Sequence, residues 1–191
     1  MTSDEADAAV WLLLGRTPLE SLPLSSGMVH ELRLEHEGYL PLDVRVTGYQ
    51  WKEQGGRLAA DVSAELVQGT PVGPVPAFAA APPAEPPAGP RGRGVIRVVS
   101  TPAGAQVWLL IGFTPRATIS GVEGGRDYEL KLLKEGFRPG SVAVRSAEWY
   151  LSGPGGPMLT NLSRDVKLTR AEPPPQPPRP RKQRGRGGRA R

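Results

Sequence analysis

The chain has 191 residues, among them 24 Gly and 22 Pro, and a formal net charge of +5. Prolines crowd into Pro71–Pro90 and Pro173–Pro180, so the foldable part is short and splits into two pieces of roughly 65–75 residues, each with room for only a small core. The chain has no cysteine, which excludes a disulfide framework, a thiol nucleophile and a thiolate metal site.

The amino terminus, Met1–Asp7, is acidic and leads into a short apolar run, Val10–Leu14. A secretory leader needs a basic start and a longer apolar stretch, and a membrane span needs about 20 apolar residues. The expected location is the cytoplasm, with the cell envelope left open if the sequence is cut from a longer parent. Val10–Leu14 reads as a strand with Val10, Leu12 and Leu14 on one face, and Trp11 and Leu13 on the other. Gly15-Arg-Thr-Pro18 then turns the chain. Glu31-Leu-Arg-Leu34, the turn Glu37-Gly-Tyr39, Val44 and Val46, Trp51, a Gly55-Gly56 turn and the alternating Asp61–Leu66 follow.

Residues 70–93 read as a disordered Pro/Ala/Gly linker that tethers without fixing an angle. Beyond it, Val95–Val99 is β-branched and Val107–Ile111 is a second apolar run, with Trp108 and Leu110 on one face. Tyr128, Leu130 and Leu132 alternate with Glu129 and Lys131, the period of a half-buried strand. Val142 and Val144 do the same, and Trp149, a Gly153–Gly156 loop and Asp165–Leu168 close the series. No segment has a helical apolar period.

The second series repeats the first. Val10-Trp-Leu-Leu-Leu-Gly-Arg-Thr-Pro18 returns 97 residues later as Val107-Trp-Leu-Leu-Ile-Gly-Phe-Thr-Pro115, and Glu31-Leu-Arg-Leu34 returns 98 residues later as Glu129-Leu-Lys-Leu132. Trp51 matches Trp149. The sequence therefore predicts an all-β fold of two small β-sandwich modules, 1–69 and 94–169, joined by the Pro/Ala-rich linker and followed by a disordered basic tail, 170–191. The strand Val95–Val99 has no counterpart before Ser3, so the first module is predicted to lack its first strand and to expose a sheet edge. Either the sequence is cut from a longer parent, or a partner or linker segment completes the sheet. The copies also differ in charge: residues 1–69 hold 11 acids and 5 bases, 70–169 hold 7 acids and 11 bases, and the tail, 170–191, holds 1 acid and 8 bases.

At Thr101-Pro-Ala-Gly-Ala105, at Gly112-Phe-Thr-Pro115 and Gly15-Arg-Thr-Pro18, and at Lys134-Glu-Gly-Phe137 and His36-Glu-Gly-Tyr39, the chain resembles the PEGA domain family. The resemblance covers 94–169 well and 3–67 less well. Copy one lacks the Pro-x-Gly of the naming turn, and both copies carry Leu-Leu (Leu12-Leu13, Leu109-Leu110) where the family often has an Asp-Gly hairpin. The resemblance implies a small β-sandwich with a binding role and no chemistry of its own. It also implies a setting in bacterial envelope proteins or at the carboxyl ends of bacterial Ser/Thr kinases.

The residues themselves point away from catalysis. His30 and His36 lie six residues apart, roughly 20 Å along a strand, too far to share a metal. Gly89-Pro-Arg-Gly-Arg-Gly94 and Gly153–Pro157 lack the strand-then-helix setting of a phosphate loop. No catalytic, cofactor-binding or metal-ligating residue is assigned, no cofactor is expected, and no small-molecule substrate is evident. The apolar second face is the candidate partner-binding surface: Trp11, Leu13, Trp108 and Leu110, with Trp51 and Trp149. Either the glycine-rich insertion folds over this face, or it is an exposed patch for a protein partner. The tail offers candidate polyanion-binding residues Arg179, Arg181, Lys182, Arg184, Arg186, Arg189 and Arg191; nucleic acid, anionic lipid and no dedicated ligand all remain open for it. The leading expectation is a non-enzymatic protein-binding or scaffolding module in a bacterial signalling protein. A nucleic-acid-associated protein and an envelope module binding polysaccharide or peptidoglycan are the alternatives.

Overall fold

Each alternating or β-branched segment forms a strand in the computed structural model, which describes residues 2–3, 7–71, 92–114, 116–117, 125–151, 158–159 and 165–171. The first segment contributes β1 (Thr2–Ser3), β2 (Ala9–Arg16), β3 (Leu19–Ser25), β4 (His30–Glu35), β5 (Leu42–Val46), β6 (Lys52–Gln54) and β7 (Arg57–Glu65). The second contributes β8 (Arg93–Thr101), β9 (Gln106–Phe113), β10 (Arg116–Ala117), β11 (Tyr128–Leu133), β12 (Gly140–Val144), β13 (Tyr150–Leu151), β14 (Met158–Leu159) and β15 (Asp165–Val166). Short 3₁₀ turns, Gly48–Gln50 and Ser146–Glu148, precede Trp51 and Trp149. The predicted linker and tail fall almost wholly outside the described residues, as do all seven basic tail candidates.

The predicted all-β fold holds, but the strands pair in an order that the sequence does not announce. A seven-stranded sheet runs β12-β11-β2-β9-β4-β5, with β10 also on β9, and a four-stranded sheet runs β3-β8-β7-β6. β2 thus lies between two strands of the second segment, and β9 pairs with β2 on one side and β4 on the other. β8 runs antiparallel to β3 and parallel to β7. Where the sequence predicts one sandwich per contiguous segment, each lobe draws strands from both. The first lobe is β3–β7 completed by β8 and β9; the second contains β10–β15 completed by β1 and β2. The physical reason is that matching repeats offer matching edges, so β9 finds in β4 the same kind of partner that its own β11 would offer. The β2–β9 ladder then joins the lobes, so the halves are not merely tethered.

Two cores result. Leu32, Leu34 and Val46 from the first segment pack with Ile96, Val98 and Val107 from the second. Across the pseudo-two-fold relation, Val10 and Leu12 pack in the lobe of Leu130, Leu132 and Val144. Burying one such side chain stabilises by about 1.5–3 kcal/mol, so each lobe depends on strands that the other segment supplies.

The threonines of the two Gly-x-Thr-Pro turns lock the exchange. Buried Thr17 donates its N–H to Ala105 O (2.9 Å), while its Oγ1 accepts from Ala105 N (3.0 Å) and its carbonyl from Gly104 N (2.9 Å). Thr114 makes the matching set with the other half: its N–H to Ala8 O (2.9 Å), Ala8 N to its Oγ1 (3.0 Å) and Asp7 N to its carbonyl (3.2 Å). Asp7 has φ +64° where Gly104 has φ +88°. Aspartate is one of the few side chains that tolerates this region, so the turn at Asp7 takes the shape that a glycine provides at Gly104.

Thr2–Ser3 pairs in parallel with Asp165–Val166, as Val99–Ser100 pairs with Ser63–Ala64.

Candidate functional site

On the central ladder, Trp11 lies opposite Leu110 and Leu13 opposite Trp108. The four residues predicted to share the second face do share it, with Ala9, Leu133 and Phe113 packed alongside. They do not form an open aromatic patch: Trp11 is 0% and Trp108 2% exposed, and Leu13 and Leu110 are half-buried.

Trp51 and Trp149 lie elsewhere. Trp51 is buried in the first lobe's core, edge-on to His30 at 6.3 Å and pressed against Gly94. Trp149 packs in the second lobe beside Tyr128, with ring centroids 5.8 Å apart, and donates its indole N–H to Arg126 O at 2.9 Å. The predicted six-residue surface is therefore a group of four plus two separate core residues. The reason is strand parity: Trp51 and Trp149 follow 3₁₀ turns that return the chain to the core side of the sheet.

Two cations cover the four-residue group. The Arg33 guanidinium stands 4.7 Å from the Trp11 ring centroid, and the Lys131 ammonium 3.9 Å from that of Trp108. Each contact is worth about 0.5–2 kcal/mol, more where water is excluded. Arg33 is held by a two-point pair with Asp43, Nε to Oδ1 at 2.6 Å and Nη2 to Oδ2 at 2.7 Å. Lys131 pairs with Glu35, from the other segment. Arg33 and Lys131 are equivalent positions of the repeat, each set between two core leucines of its strand. Alternation alone reads them as solvated; the signal that identifies them is a tryptophan on the neighbouring strand, which becomes visible only when the pairing is known.

A cleft of about 630 Å³ opens beside the Glu35–Lys131 pair, lined by Arg16, His36, Tyr39 and Gln106 among others. Its charges are mixed and largely engaged: Arg16 donates to Gly104 O at 3.1 Å, and the His36 ring meets Tyr39 edge-on at 5.1 Å. His30 is buried, its Nε2 2.6 Å from Ser25 O; burial lowers its pKa, and the carbonyl contact opposes that only in part. Hydrogen bonds from Arg97 and Gln54 lower the Asp61 pKa, and hydrogen bonds from Ser146 and Arg145 lower that of Asp127. These three groups serve turns and strand pairs. Among the described residues no three His, Asp or Glu converge as metal ligands, and no helix is long and apolar enough to cross a membrane.

The geometry defines an all-β body in which two segments of the chain interleave their strands. Residues 93–147 match the model of the PEGA domain family, a family of non-catalytic modules. No curated protein and no solved structure matches the chain significantly. The matched stretch spans β8 to β12, so it is one unit in sequence whose first two strands complete the lobe of the other segment.

Proposed function

We propose that the chain is a non-enzymatic protein-binding scaffold that serves as the regulatory region of a bacterial signalling protein, with its first segment a diverged second PEGA copy. The observation that carries this reading is the β2–β9 ladder, which makes two lobes one body whose central sheet ends, among the described residues, in the edge strands β5 and β12. Edge strands present unpaired N–H and C=O groups, to which a partner's extended segment adds by main-chain hydrogen bonds. The non-catalytic character of the PEGA family and the structural engagement of the shifted ionisable groups support the same reading.

The test is in-cell cross-linking of the full chain, followed by titration of each recovered protein with purified chain. Saturable one-to-one binding that is weakened by Val44→Pro or Val142→Pro, on β5 and β12, supports the reading. Turnover of a substrate, or binding only to nucleic acid and lost on truncation after Thr169, overturns it.

A further inference from the structure

The cleft beside the Glu35–Lys131 pair belongs to both segments. Tyr39, Pro41 and Pro71 reach it from the first, and Leu133 and Pro139 from the second. Its volume of about 630 Å³ is in the range of sites that enclose a ligand. The apolar part of its lining is thus mostly proline and one aromatic ring, that of half-buried Tyr39, braced edge-on by His36. The charges at its rim leave one side chain over. Arg16 is turned to the Gly104 carbonyl and Lys131 is paired with Glu35, while Glu37 is exposed and makes no ion pair among the described residues.

The sequence that follows the second lobe carries the matching chemistry, and it starts close by. Ala171 donates its N–H to Gly136 O at 2.8 Å. Gly136 precedes Pro139, on the cleft wall, by three residues, a distance of at most about 11 Å. Extended proline-rich chain advances about 3.1 Å per residue and makes one turn in about three residues, so about four residues bring Pro175 to the cleft. With that period Pro175 and Pro178 form one edge and Pro177 and Pro180 a second, while Gln176 and Arg179 form the third, with Arg181 and Lys182 following. Two edges are proline and the remaining one is polar and basic. The other proline-rich stretch, 72–91, also leaves from the cleft rim, at Pro71, but Glu85 and Arg91 are its charged residues. It has no net charge to set against Glu37.

We propose that the cleft is a peptide site whose resident ligand is the chain's own tail, Pro175–Lys182, docked as an extended proline helix. Its proline edges lie on Tyr39, Pro41 and Pro139, and Arg179 meets Glu37. This is capture of a proline segment by an aromatic-lined groove, and proline keeps the ordering cost low because the free segment is already extended. The contact is a latch: while the tail is docked, the cleft is closed to any other basic, proline-rich peptide. Because its lining comes from both segments, the site exists only in the interleaved fold. It stands apart from the edge-strand reading above, which concerns β5 and β12.

The chain has no cysteine, so a nitroxide on Gln183→Cys labels the tail alone, and amide NMR of the full chain reads where the tail lies. Expected is broadening confined to the amides around the cleft, His36–Tyr39, Gln106 and Leu133. A synthetic peptide with the sequence of Glu172–Lys182 should relieve it once its concentration exceeds that imposed by a short tether, about millimolar. Glu37→Lys, at an exposed position, should lower the tail's occupancy at least about twofold, the factor expected from one rim charge pair. Exchanging Pro175, Pro177, Pro178 and Pro180 for glycine should abolish the broadening and leave the melting curve unchanged. Broadening that is absent, spread evenly over the surface, or indifferent to the peptide and to both variants overturns the proposal. So does equal broadening when spin-labelled chain is mixed with isotope-labelled chain, because the tail then sits on a second molecule. A chain with an undocked tail that still titrates a cross-linked partner through β5 or β12 loses only this inference and keeps the scaffold reading.

Discussion

The two lobes are built from similar sequence segments, and among the described residues one has a nine-residue strand through its outer sheet while the other has Thr2–Ser3 paired with Asp165–Val166. The first lobe buries Trp51 against Gly94; the second leaves Trp149 half-buried and ties its N–H to the Arg126 carbonyl. The central ladder makes no such distinction. Trp11 and Trp108 are equally buried there, each under a cation from the repeat-equivalent position. The comparison teaches that what the lobes share sits where they meet, and what separates them sits at their outer sheets.

The largest effect should come from dividing the chain. Residues 93–171 alone, the unit that sequence suggests, lack β3, β4 and β7. They should give no cooperative unfolding transition as a monomer, by circular dichroism against urea, or should recover one only as a dimer. A stable monomer would end the comparison by showing that the segments fold independently. Next in size, Trp51→Ala should cost about 3–5 kcal/mol, read from urea midpoints. Trp149→Ala should cost clearly less, because less surface is buried; equal costs would mean that the second lobe is as closed as the first.

Thr17→Val and Thr114→Val each leave buried backbone groups unpaired, a loss of about 1–3 kcal/mol. Thr17→Val also removes the contact of its hydroxyl with Ser100 Oγ at 2.6 Å. The smallest effect concerns pH. The His30 pKa is lowered in the folded chain, so the unfolded chain binds the extra proton first. Stability should therefore be full above about pH 6.5 and fall as pH drops below it. His30→Tyr, which copies Tyr128, should flatten that slope in melting curves at pH 5–8. An unchanged slope would place the dependence elsewhere.

Much of the fold was legible in the residues. The period-two alternation located the long strands, the Gly-x-Thr-Pro turns were seen, and the parity of Val10–Leu14 and Val107–Ile111 put Trp11, Leu13, Trp108 and Leu110 on one face. Placing Trp51 and Trp149 on that face failed because the 3₁₀ turns before them reset the parity. Alternation does not single out Arg33 and Lys131, because their importance lies in the tryptophan that the adjacent strand carries.

By itself the sequence determined which residues face inward, where the chain turns and that it does so twice, since these follow from local periodicity and turn chemistry. Only the tertiary structure decided which strand lies beside which. Near-identical repeats bury the same apolar faces whether they pair within a segment or across segments, so side-chain pattern cannot choose between the two. The β2–β9 ladder and the crossed threonine locks record the choice.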